Sequence, residues 1–206
     1  MKSSRPDLRF AAVALISLAS LAAPGATLWN ETSQGDLSGN RLAPTGLSLD
    51  LGSNDLFATT QGGDLEYLTF QIPAGRTISS IYLRAYAGTD GRAFLGIQQG
   101  TTFTVPANTA APGDMYGYSH FGTSASGATV GTDFLGQIGS AFGAQGFTPP
   151  LTSGNYTVWL QQLGAPATYQ LDFVVSAVPE PATTAVCAAA LLLGFTVLRR
   201  RTASAR

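Results

Sequence analysis

Apolar and polar residues alternate with period two in four stretches of this chain, the pattern of a strand that buries one face. Over Glu66–Ile72, Leu68, Phe70 and Ile72 fall on one side and Tyr67, Thr69 and Gln71 on the other. Pro73-Ala74-Gly75 then predicts a turn. Over Ile78–Ala87, Ile81, Leu83 and Ala85 share a face, with Tyr82, Arg84 and Tyr86 opposite. Asn155–Gln162 sets Tyr156, Val158 and Leu160 against Thr157, Trp159 and Gln161, and Thr168–Val175 aligns Tyr169, Leu171, Phe173 and Val175. The break at Gly164-Ala165-Pro166 predicts that these last two runs pair as a hairpin. Shorter strands are expected at Gly46–Leu51, Leu56–Thr60, Ala93–Gln98 and Met115–Phe121. About eight short strands separated by turn residues predict one all-β domain over residues 27–177, an antiparallel β-sandwich or jelly roll. Gly122–Pro150 lacks the alternation and reads as a long ordered loop pinned by Phe134, Leu135, Ile138, Phe142 and Phe147, with a short helix at Asp133–Ser140. No repeat of 20–50 residues is visible, which excludes a solenoid or propeller.

The two ends follow other patterns. Lys2, Arg5 and Arg9 precede the apolar run Phe10–Leu21, and small residues follow at Ala22, Ala23, Gly25 and Ala26. This is the order of a secretory signal peptide, here residues 1–26, with an apolar run too short to span a membrane. No Arg-Arg pair precedes the run and no cysteine follows it, so general secretion is expected rather than the twin-arginine route or a lipoprotein anchor. At the far end, Pro179-Glu180-Pro181 leads into the uncharged run Ala182–Leu198, closed by Arg199, Arg200 and Arg201. As a helix this run rises roughly 26 Å, the short end of what crosses a bilayer core. The arginines would hold the tail 202–206 in the cytoplasm. Cys187, the only cysteine, falls inside this run and reads as a small apolar residue of the helix.

Val178, Pro179, Glu180 and Pro181, followed by the short helix and the arginine cluster, resemble the PEP-CTERM sorting signal of exported bacterial proteins. The resemblance, over residues 178–201, implies recognition by exosortase, a membrane-embedded cysteine transpeptidase that removes the helix. It further implies a Gram-negative host that makes exopolysaccharide, and a protein held briefly in the membrane before it reaches the cell surface or the biofilm matrix. The run Asp64-Leu65-Glu66-Tyr67-Leu68-Thr69-Phe70 before Pro73-Ala74-Gly75, with Gly154, Tyr156 and Thr157 further on, is similar to the bacterial pre-peptidase C-terminal-type sandwich. That likeness implies the same fold.

Once the sorting ends are set aside, the charge balance changes. Lys2, Arg5, Arg9, Arg199, Arg200, Arg201 and Arg206 account for seven of the eleven basic residues. Residues 27–177 keep four arginines against ten carboxylates, a formal charge of −6 with no lysine. Such a domain does not bind nucleic acid or anionic lipid electrostatically. With a single cysteine, no disulfide forms within the chain, so the core alone must hold the domain.

Candidate chemistry is sparse. His120 is the only histidine, and no nucleophile-elbow motif surrounds Gly122-Thr123-Ser124-Ala125-Ser126. Ser119 is its neighbour but points to the opposite strand face, so His120 is expected to be a locally hydrogen-bonded strand-end residue. Asp64 and Glu66, two apart on a strand, are the one pair spaced for carboxylate catalysis. Acidic turn residues have their own local hydrogen bonds, and no enzymatic activity and no organic cofactor are expected. One histidine without an exported cysteine cannot build a zinc site. Asp50, Asp55, Asp64 and Glu66 are candidate calcium ligands, since calcium takes oxygen donors from loops of this kind. Tyr82, Tyr86 and Trp159, beside Gln98, Gln99, Gln161 and Gln162, are candidate glycan-stacking residues, rings with amide partners at hand. The same rings could equally serve to cover a sheet. The expected function is a structural or adhesive protein of the surface or exopolysaccharide matrix. A surface carbohydrate-binding module is the alternative, and a hydrolase working through Asp64 and Glu66 comes last.

Overall fold

The computed structural model describes residues 25–124 and 127–179. They form two sheets. The first has four strands in the order β1 (Ala26–Asn30), β3 (Asn54–Thr60), β10 (Ala167–Ala177), β5 (Arg76–Gly88). The second has six: β2 (Thr45–Leu47), β4 (Leu65–Ile72), β9 (Gly154–Gln161), β6 (Arg92–Gln99), β7 (Gly117–Gly122) and β8 (Ala128–Thr129). Seven of the eight anticipated strands are present, the eighth, expected at Gly46–Leu51, is reduced to Thr45–Leu47, and the described residues are mostly β. The central pairings are antiparallel, but the sheets are not wholly so. The edge strands β1, β2 and β8 each run parallel to their neighbours β3, β4 and β7. β2 is entered from the loop before Thr45, so the direction of that loop, not a hairpin, sets its sense. The sorting-signal residues Glu180, Pro181, Arg199, Arg200 and Arg201, the rest of the apolar helix and the signal peptide up to Pro24 lie outside the described residues.

The expected β9–β10 hairpin is absent. β9 pairs with β4 and β6, whereas β10 pairs with β3 and β5, so the link between them crosses from one sheet to the other. Gln162 fixes that crossing. Its Oε1 accepts from the backbone N–H groups of Leu163 and Gly164, and its Nε2 donates to the Tyr86 hydroxyl. Alternation tells which face of a strand is apolar, but it does not identify the neighbour.

The core lies between the sheets. Leu68, Phe70 and Ile72 of β4, Val158 and Leu160 of β9, and Leu95 and Ile97 of β6 meet Ile81 and Leu83 of β5 and Leu171 and Phe173 of β10. The sheets interlock through rings, Phe70 against Phe173 at 5.8 Å and Phe121 against Tyr169 at 5.1 Å. Burying each such side chain stabilises the fold by roughly 1.5–3 kcal/mol. β5 carries two register shifts against β10, around Ser79 and Arg84. A bulge adds a residue and so reverses the faces beyond it. Ile78, Ile81 and Leu83 are buried, but after the shift Ala85 points outward and Tyr86 inward onto Phe121, the reverse of strict alternation.

The outer face of the six-stranded sheet is also covered. Segment 100–116 folds over it, and Phe103 and Met115 pack on Tyr67 and Trp159 as a second, smaller core. The stretch Gly122–Pro150 is more ordered than a loop. Phe134, Leu135 and Ile138 are fully buried, and a helix, α2 (Leu135–Gly139), packs against β7 and β5. Asp133 starts it, its Oδ1 accepting from the N–H groups of Ile81 and Leu135. Phe147 stacks on Tyr116 at 5.0 Å, but Phe142 is 93% exposed and pins nothing.

Candidate functional site

A cleft of about 940 Å³ opens on the outer face of the six-stranded sheet. Its floor follows from strand pairing. Tyr67 of β4 lies opposite Trp159 of β9, and Phe94 of β6 lies opposite both Gln161 and His120. Outward rings therefore run in a row across four strands, with Tyr67–Trp159 at 6.4 Å, Trp159–Phe94 at 4.7 Å and Phe94–His120 edge-on at 5.6 Å. Gly96 makes the close approach possible, since a Cβ there would sit 3.0 Å from the Phe94 ring and 2.9 Å from the Met115 sulfur. One wall is Gly39–Arg41 and the other Pro106–Asn108, with Leu163 at the rim, 79% exposed. Arg41 ties the walls together, its Nη1 donating to the carbonyls of Phe103 and Thr104 at 3.0 and 2.7 Å. Gln161 and Asn108 line the cleft, and their side-chain amides make no hydrogen bond among the described residues.

The predicted glycan residues are not brought together. Trp159 does reach this cleft, but it is only 6% exposed beneath Phe103 and Phe94, so it supports the floor instead of presenting a free ring face. Its indole N–H is buried without a partner. Tyr82 stands on the outer face of the other sheet, under the Arg84 guanidinium at 4.1 Å. The bulge turns Tyr86 inward, where its hydroxyl donates to the Asp90 carbonyl at 2.6 Å. Gln98 and Gln162 are buried and occupied with the backbone. Phe94, half-buried in the floor, is the ring the alternation did not single out. His120 is not locally hydrogen-bonded through its ring. It packs on Phe94, and burial and the nearby Arg92 charge hold its pKa below the ordinary 6.5.

The four predicted calcium ligands separate likewise. Asp55 accepts from Gln170 at 2.9 Å, and the backbone N–H of Asp50 donates to Asn54, a buried side chain that closes the β3 entry through three carbonyls. Asp64 belongs to a turn, its N–H donating to the Gln61 carbonyl, and its carboxyl is raised by burial and by Asp36. Glu66 faces the core. The inward positions of β4 are Glu66, Leu68, Phe70 and Ile72, so the side chain that begins the series is a carboxyl with no exposed surface. Its Oε2 accepts from the Tyr169 hydroxyl across the core at 2.7 Å, and its Oε1 has no partner. Burial pushes its pKa up to about 10, the Tyr169 hydrogen bond opposing this and the Glu31 charge, a hydrogen bond shared with the Glu31 carboxyl and the Asp64 charge adding to it. Asp64 and Glu66 therefore do not open on solvent as a pair, since Glu66 has no exposed surface.

Glu66 instead meets two acids that the sequence did not mark. Glu31, Asp36 and Glu66 bring carboxylate oxygens within 4.8 Å of one another. Glu31 opens a four-residue helix, α1 (Glu31–Gln34), capped by the Asn30 side chain. Its carboxylate accepts from the N–H of Thr59 at 2.7 Å and of Leu37 at 3.4 Å, tying the first residues of the domain to β3. Burial raises its pKa, opposed first by a side-chain hydrogen bond with Glu66 and then by these N–H groups, while the Asp36 charge adds to the rise. Two ionised carboxylates at such a distance repel by roughly 3 kcal/mol at an effective dielectric of about 20. The signal was invisible in the sequence because Glu31 and Asp36 sit in a segment without alternation, about thirty residues before Glu66.

No family model matches the chain, and no curated protein matches it. Two solved structures align with part of the chain. One is PliG of Aeromonas hydrophila, a periplasmic inhibitor of g-type lysozyme, at 17% identity and a TM-score of 0.32, over 64% of this chain and 96% of that one. The other is PliG of Salmonella Typhimurium, at 12% identity and a TM-score of 0.30, over 64% and 98%. Likeness at this level carries no argument about what this chain does.

Proposed function

We propose that this chain is an exported, non-enzymatic protein of the bacterial surface or extracellular matrix, sorted by exosortase through its Pro-Glu-Pro segment and adhering to exopolysaccharide through the cleft. One observation carries the adhesive part. The cleft combines an aromatic floor with the unengaged amides of Gln161 and Asn108, the apolar face and hydrogen-bonding groups that a sugar chain needs. Arg41, on the wall, is held in place through Nη1 by the Phe103 and Thr104 carbonyls. The non-enzymatic reading rests on Glu66 being sealed in the core and on Ser119, whose hydroxyl donates to the His120 carbonyl and not to its ring.

Retention on the producer's own polysaccharide tests the cleft. Gln161→Ala should weaken it between about twofold and tenfold, the worth of one net hydrogen bond, and Phe94→Ala should weaken it further. Unchanged retention in both variants would end the glycan reading. The sorting part is tested by the intact mass of the protein from its host. A chain ending near Pro179–Pro181 is expected, and a mass that still includes Arg199 to Arg206 would refute processing.

A further inference from the structure

We infer that Glu31, Asp36 and Glu66 bind one divalent cation of the calcium type, which fastens the first residues of the domain to the six-stranded sheet. This is independent of the cleft and of the sorting signal. Three lines converge on it. The carboxylate oxygens lie within 4.8 Å of one another, a spacing that fits around an ion whose oxygens stand at about 2.3–2.6 Å, since opposite ligands are then up to about 5 Å apart. Glu66 is wholly buried, and its Oε1 accepts from no N–H or hydroxyl among the described residues, so only a proton shared with Glu31 or an ion can satisfy it. Finally, no cationic side chain balances the group. The salt bridge among the described residues is Arg84–Asp172, on the outer face of the other sheet, while Asp64 adds a further acidic group nearby.

The donors are all carboxylate oxygens, without histidine or cysteine, which selects a hard cation over zinc or copper. Magnesium demands near-ideal octahedral geometry at about 2.0–2.1 Å. Two of these carboxylates are already fixed by other bonds, Glu31 to backbone N–H groups and Glu66 to Tyr169, so the more tolerant calcium is the better fit. A groove of about 290 Å³ along the four-stranded sheet is lined by Glu31, one of the three carboxylates, and Asp36 is exposed. Glu31 follows β1 of one sheet and Glu66 belongs to β4 of the other, so the ion would cross-link the sheets at this end.

The test is the thermal midpoint of the full-length chain in detergent, after chelation, with calcium or magnesium added, for the wild type and for Glu66→Gln and Asp36→Asn. A cation that binds only the folded state raises the midpoint. Calcium should raise that of the wild type, and magnesium should raise it less. Glu66→Gln keeps the shape of a protonated carboxyl, so it should fold in chelator at least as stably as the wild type and gain nothing from calcium. Asp36→Asn, an exposed change, should lose most of the calcium response. An unchanged wild-type midpoint would mean that shared protons alone hold the carboxyls, and the inference would fall. A calcium response retained in both variants would place the ion elsewhere and overturn it equally, and an equal magnesium response would overturn the calcium assignment.

Discussion

Asp172 shows how a single residue can decide a local structure. It lies fully buried on β10, with Oδ1 accepting from the Asn54 N–H at 3.1 Å and Oδ2 from Arg84 at 3.0 and 2.7 Å. Removing one partner of such a pair leaves an uncompensated buried charge, at a cost of about 3–5 kcal/mol. Arg84 is 42% exposed, so Arg84→Ala should sit near the low end, about 3 kcal/mol by urea unfolding, and a change below the scatter of surface substitutions would refute the pairing. His120 supplies a pH dependence of definite sign. Its folded pKa lies below the ordinary 6.5 because burial, and then Arg92, disfavours the charged ring. The unfolded chain therefore binds the proton more readily, so stability is full above about pH 6.5 and is lost as pH falls from there to the lower folded pKa. His120→Gln should remove that part of the loss in denaturant midpoints between pH 7.5 and 5. An unaltered slope would show that the ring titrates as in the unfolded chain. None of these partnerships was legible beforehand, because Arg84 and Asp172, like Glu31 and Glu66, are far apart in sequence and adjacent only through pairing.

At the scale of elements, the alternation located every long strand, since a half-buried strand must repeat every second residue. It misjudged faces where a bulge intervened, as at Arg84, and where a loop covered the outer surface, as segment 100–116 covers Tyr67 and Trp159. The short helix expected at Asp133–Ser140 is present as α2, Leu135–Gly139, although five residues rich in glycine carry little periodicity. The fit of that helix is nevertheless tight. A Cβ on Gly117 would collide with the backbone carbonyl of Ile138, which cannot swing away as a side chain can. Gly117→Ala should therefore push α2 off β7 and destabilise the domain by about 1–3 kcal/mol, the usual cost of overpacking. A variant as stable as the parent in chemical denaturation would show that α2 yields freely.

At the scale of the whole molecule, the domain has two distinct ends. Leu65, Gln161 and Leu163, at the cleft, stand where β4 begins and β9 finishes, and Gly62 donates to the Gly164 carbonyl there. Val178 leaves from the opposite end, its N–H donating to the Gly75 carbonyl just beyond β4. The eight residues of β4 separate these ends by roughly 26 Å. The final strand, β10, is bonded along its length to β5 and over Ala167–Asp172 to β3. This arrangement has a mechanical consequence. A pull on Pro179 against the cleft rim loads β10 along its own axis, so the bonds to both neighbours bear the force together instead of parting one by one from Ala177. In single-molecule pulling, handles at Pro179 and Asn108 should therefore require a larger rupture force than handles at Pro179 and Gly75, which peel the strand from its end. If the two forces were equal, β10 would not act as a tension-bearing stem between whatever the cleft grips and whatever lies beyond Pro179.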